Sequence, residues 1–160
     1  MSAIASFRLL PKSSLSGLRK AAVPTWFGGK AQDNFWPYLS AHGRELMQYK
    51  WSGYILGTLL PYLEQTWAIN FGNPDFEGLG TFLSNVRESP AYILTDAHRR
   101  AYAEDLDPSS YSEDELRAYF EAFNETTNAE SGRAMLDGIV VLQANLSQVN
   151  QDSVILLTIG

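Results

Sequence analysis

The chain has no cysteine among its 160 residues. That excludes disulfides, thiolate metal sites, iron–sulfur clusters and a cysteine nucleophile. Histidine is nearly as scarce, with only His42 and His98, so a His-rich metal centre cannot be assembled, and neither metal nor cofactor is expected. There is no Asp-x-Asp-x-Asp-Gly calcium loop and no Gly-x-Ser-x-Gly nucleophile elbow. Gly29-Lys30 is not a phosphate loop, because no glycine lies five residues before Gly29 and no Ser or Thr follows Lys30. Long apolar runs are missing too. The best candidate, Trp51 to Leu63, is interrupted by Ser52, Gly53, Thr58 and Pro61 and is too short to span a bilayer. Met1 to Arg8 has no basic stretch leading into an apolar one, so no signal peptide is read. These absences together predict a cytoplasmic chain with no membrane association.

Positive charge is also in short supply. Lys and Arg number 12 against 18 acids, a net charge of −6. The deficit is concentrated: Glu104 to Glu130 holds nine acids and one base, Arg117, a net −8. Such a stretch repels phosphate backbones, so no nucleic-acid binding is expected. What the chain does have is apolar and aromatic side chains, at 45% and 12% of residues. That is ample to fold one domain over residues 1–160 around large buried rings.

Ile4 to Leu10 reads as a strand, with Ala5, Phe7 and Leu9 on one face and Ser6 and Arg8 on the other. Ser13 or Ser14 then caps a helix running to about Ala22. Val23 to Pro37 reads as a loop, and Tyr38 to Leu60 as a long helix that Pro61 interrupts or restarts. Gly53 and Gly57 form a notch on that helix for a close backbone approach. Trp67 to Phe71 alternates like a strand, with the tail of the preceding helix as its rival. Ala91 to Leu94 is a further strand, and Thr95 caps a helix after it. Ser112 and Glu115 form a capping box ahead of Leu116, Tyr119, Phe120 and Phe123. A second box, Thr127 and Glu130, opens the last helix, whose buried stripe is Met135, Ile139, Leu142, Leu146 and Val149. Val154 to Ile159 is a continuous apolar strand. The expected fold is single-domain α+β: a small mixed or antiparallel sheet including the strands near both chain ends, with about five helices packed on one of its faces.

The order of motifs resembles the YfbM-like family of small uncharacterised bacterial proteins. An opening strand runs into Leu-Pro-x-Ser-x-Leu (Leu10 to Leu15). Lys50-Trp51-x-Gly53-x-Ile55-x-x-x-Leu59-Leu60 follows, then Tyr92-Ile-Leu-Thr95 opening a helix, an acidic helix and a final apolar strand. The resemblance implies the fold and a bacterial source, and it brings no reaction. It also implies a His four residues after the motif Trp, where this chain has Ile55, so no role for such a residue transfers.

Two readings of function follow. The first is a non-enzymatic protein-interaction domain that presents acidic helices to a basic partner, with Glu113, Asp114, Glu121 and Glu125 at the contact. Immunity and inhibitor proteins are similarly small, acidic and without a catalytic signature. The alternative is a small hydrolase or ligand-binding domain with a pocket under residues 24–38, where Trp26, Phe27, Trp36 and Trp51 contact the ligand and His98 or an acid serves as base. In the bland reading, the aromatic segment is a satellite of the core and His98 is a surface or capping residue. A concave pocket holding His98 or a buried carboxylate would favour the alternative; a convex acidic face would favour the first.

Overall fold

A computed structural model of the chain describes residues 2–160. Among these, seven α-helices and six strands are formed. The strands are β1 (Ala5–Pro11), β2 (Thr25–Phe27), β3 (Lys30–Gln32), β4 (Arg44–Glu45), β5 (Ala91–Leu94) and β6 (Ser153–Ile159). The helices are α1 (Leu15–Ala22), α2 (Phe35–His42), α3 (Gly53–Trp67), α4 (Leu79–Arg87), α5 (Asp96–Tyr102), α6 (Glu113–Asn124) and α7 (Ser131–Leu146). The main sheet is antiparallel in the order β4-β1-β6-β5, and β2 with β3 makes a separate hairpin. The α+β expectation holds, including the two end strands side by side in one sheet.

The helices cover both faces of that sheet, not one. The reason lies in β6, where six of seven residues are buried. Ile155, Leu157 and Ile159 join Ala5, Phe7 and Leu94 in a core under α3, α6 and α7. Val154 and Leu156 face the other way, joining Leu10 and Ile93 under α1, α2 and α4. A strand buried on both sides needs cover on both sides.

Five local expectations are corrected. The region read as one helix from Tyr38 is broken after His42: β4 and an irregular stretch intervene, and α3 begins only at Gly53. Pro61 lies inside α3 without ending it. Trp67 is the last residue of that helix and Ala68 its left-handed cap, at φ 54°, so residues 67–71 form no strand. Residues 24–37 are more ordered than a loop, holding the hairpin and the start of α2. The last helix opens at Ser131, with Glu130 in the capping position, so the Thr127 box is not used.

Two close approaches fix the sheet against its surroundings. Gly53 donates its N–H to Ala3 O at 2.8 Å, and a Cβ on Gly53 would stand 3.1 Å from the backbone of residues 3–5. This is half of the expected notch; the space beside Gly57 is open. At the β5 edge, the Ser84 hydroxyl of α4 accepts from Ala91 N–H at 2.9 Å and donates to Ala91 O at 3.2 Å.

Candidate functional site

The aromatic segment separates into three environments. Phe27-Gly28-Gly29-Lys30 closes the hairpin with a two-residue turn in which Gly28 and Gly29 take φ +58° and +79°, the left-handed geometry that glycine supplies without strain. All six strand residues of the hairpin are exposed. Trp26 and Phe27 are 76% and 84% exposed, which overturns the satellite-core reading for both. Phe35, by contrast, is buried, and Trp36 lies half exposed beside it in an edge-on ring contact of 5.0 Å.

The hairpin is fastened at its root by one side chain. Arg87, the last residue of α4, makes two charge-assisted bonds to Asp33, at 3.0 and 2.7 Å. It also reaches Ala22 O at 3.4 Å, so it ties the chain entering the hairpin to the chain leaving it. Its guanidinium lies 4.6 Å from the Phe35 ring centroid, a cation–π contact. The Arg87 hydrogen bond, helped by the Phe35 N–H, holds the Asp33 carboxyl below the usual aspartate range.

Next to this clamp is a cavity of about 500 Å³. Its floor is one cross-strand row of small side chains: Ser6 on β1 pairs with Thr158 on β6, which pairs with Ala91 on β5. The next row of the same face carries the larger Arg8, Leu156 and Ile93. Where the row is small, helices spanning from the bulky end leave a void, walled here by Phe35 and Trp36 of α2 and Leu83 and Arg87 of α4. A shallower groove of about 660 Å³ runs on the other side, past Tyr54, Gly57, Tyr92 and Phe123.

His98 lines neither space. It is 1% exposed and packs against Phe71 and Tyr102, so the surface reading fails and the capping one stands. Thr95 N–H donates to His98 Nδ1 at 3.0 Å, which leaves that nitrogen bare and places the proton on Nε2, 3.2 Å from Asn73 O. Burial lowers its pKa, against the opposing pull of the Asn73 carbonyl. No Asp or Glu side chain lines the 500 Å³ cavity either.

Glu113, Asp114 and Glu121 sit on α6 and Glu125 caps its end; Leu116 and Phe120 are buried while Glu113, Asp114 and Glu125 are exposed. Several already have internal work. Glu113 lies 3.5 Å from Arg133 and Asp114 3.2 Å from Arg117. Glu121 accepts from Asn128 N–H at 3.1 Å. Trp51 is far from the aromatic segment: its indole N–H donates to Asp137 at 2.8 Å on the α7 side of the sheet.

Of the predicted ligand residues, then, the structure brings only Trp36 to the cavity. Sequence reasoning missed Arg87, Ser6 and Thr158. A signal for the last was present, as the one hydroxyl inside an otherwise apolar run. Among the described residues no cluster of His, Asp and Glu is arranged to hold a metal ion, and no helix is long and apolar enough to cross a membrane. No family model, curated protein or solved structure matches the chain, so the YfbM-like resemblance rests on its sequence motifs alone.

Proposed function

We propose that this chain is a non-enzymatic protein-interaction module of the immunity or inhibitor type, anchored by the Trp26–Phe27 hairpin. The observation that carries this reading is the exposure of two adjacent large aromatics at the tip of a projecting, root-clamped hairpin. Aromatic side chains held in the open by a rigid element are what binding hot spots are made of. Ordering the hairpin in advance removes an entropy cost that a flexible loop would meet on binding. Residues 1–32 contain five bases and no acid, so the partner suited to this surface has an apolar cleft with an acidic rim. The hairpin projects from the α1/α2/α4 side of the sheet, whereas α6 packs on the other. A basic partner on Glu113, Asp114, Glu121 and Glu125 is therefore a separate contact. The exposed, net-negative surface of α6 favours that second reading.

Affinity capture from the source cell with three proteins distinguishes these contacts: the unaltered chain, Trp26→Ser/Phe27→Ser, and Glu121→Lys/Glu125→Lys. The expected result is a partner retained by the acid variant and lost from the hairpin variant, with both variants giving unchanged circular dichroism. Loss only from the acid variant moves the contact to α6. Identical partner sets from all three overturn both.

A further inference from the structure

We infer that the cavity floored by Ser6, Thr158 and Ala91 is a binding site for a small, neutral, planar apolar molecule carrying a hydroxyl, amine or carbonyl group. Its size, about 500 Å³, falls within the range of roughly 300–1,000 Å³ over which proteins enclose small ligands. Its walls are the right material: the indole of Trp36 and the ring of Phe35 offer flat faces, and Leu83 and Ile4 supply aliphatic contact. Its polar groups are few and unengaged. The hydroxyls of Ser6, Thr158 and Ser89 make no hydrogen bond to any of the described residues, so each is free to donate to or accept from an occupant.

Charge selects among ligands of this shape. The one ionic side chain in the lining is Arg87, and it is spent: Asp33 takes both of its terminal nitrogens, at 3.0 and 2.7 Å. An anionic ligand would have to break that pair, and a cationic one would meet a guanidinium with no Asp or Glu side chain in the lining. A neutral molecule meets neither obstacle. The site is also independent of the hairpin tip, since neither Trp26 nor Phe27 lines it.

Two fluorogenic probes with the same ring skeleton test this. N-phenyl-1-naphthylamine is neutral, and 8-anilinonaphthalene-1-sulfonate adds one negative charge. The neutral probe is expected to bind the folded chain at one site and to bind more tightly than the sulfonate. Ser6→Leu, which fills the floor, and Trp36→Ala, which removes a wall, should each weaken it by about tenfold, roughly the worth of one buried contact. Trp36 is half exposed, so its variant remains foldable if the strand variant does not. Asp33→Asn releases Arg87 and should reverse the preference toward the sulfonate. Three results would overturn the inference: neutral-probe binding unchanged by both cavity variants, equal affinity for the two probes, or loss of the signal in Trp26→Ser/Phe27→Ser, which would place the probe on the hairpin.

Discussion

His98 is held in one protonation state by its neighbours. Nδ1 accepts from the Thr95 N–H, so a proton added there would face a donor, and the first turn of α5 would lose its cap. The buried ring also has no carboxylate hydrogen-bonded to it; its partners are Thr95 and the Asn73 carbonyl. Its folded pKa therefore lies below the unfolded value of 6.5. The unfolded chain takes up the proton first, so the stabilisation is complete above about pH 6.5 and declines as pH falls toward the folded pKa, by at most about 1.4 kcal/mol per pH unit for one proton. Denaturant unfolding between pH 7 and 5 should show that slope, and His98→Asn should flatten it while lowering stability overall. An unchanged slope in the variant would assign the pH dependence elsewhere. Asp33 and Asp75, whose folded pKa values are lowered from 3.8, act only at more acid pH.

Helix α3 shows how an element gains or loses by one methyl group. A Cβ at Gly53 meets the backbone of residues 3–5 at 3.1 Å, which cannot rotate away, whereas a Cβ at Gly57 meets nothing within 4 Å. Gly53→Ala should cost about 1–3 kcal/mol as overpacking, and Gly57→Ala should gain up to about 1 kcal/mol through helix propensity. Thermal melts of the two variants moving in the same direction would refute this account. The same helix explains a limit of sequence reading. Its start was hidden because the apolar stripe of Leu46, Trp51, Tyr54, Ile55 and Leu59 runs across the break, although β4 pairs with β1 at Arg44 and Glu45. Its end was hidden because Ala68, not glycine, takes the left-handed position, so the usual stop signal is absent. Where chemistry does mark an end, at Thr95 and Ser112, the helix starts were legible.

At the scale of the molecule, the sheet divides the charge. The base-rich residues 1–32 lie largely with α1 and the hairpin, and the acidic α6 lies on the opposite layer. The class of fold could be read from apolar strands near both ends, but the layering could not. The continuous apolar run from Val154 to Ile159 predicts burial without saying how many helices share it. The cavity was less legible still. It depends on Ser6, Thr158 and Ala91 falling in one row, and register between residues about 150 positions apart is not written in local pattern. The exposure of Trp26 and Phe27 was unreadable for a different reason: aromatic density signals a core far more often than a projecting tip.

The position of β6 also orders events in time. β1 and β5 do not touch one another; β6 pairs with both, and apart from the short β4 on the far edge of β1 it is their only strand partner among the described residues. During synthesis β5 has no strand partner, and β1 only the two-residue β4, until residues 153–159 leave the ribosome, and the sheet-facing sides of both helical layers lack the strand they share. Closing a loop of about 150 residues between β1 and β6 makes for slow folding. Chains ending at residue 152 should therefore lack a cooperative unfolding transition and collect in the insoluble fraction. A soluble, cooperatively melting 1–152 fragment would show that the two helical layers can assemble without the strand between them.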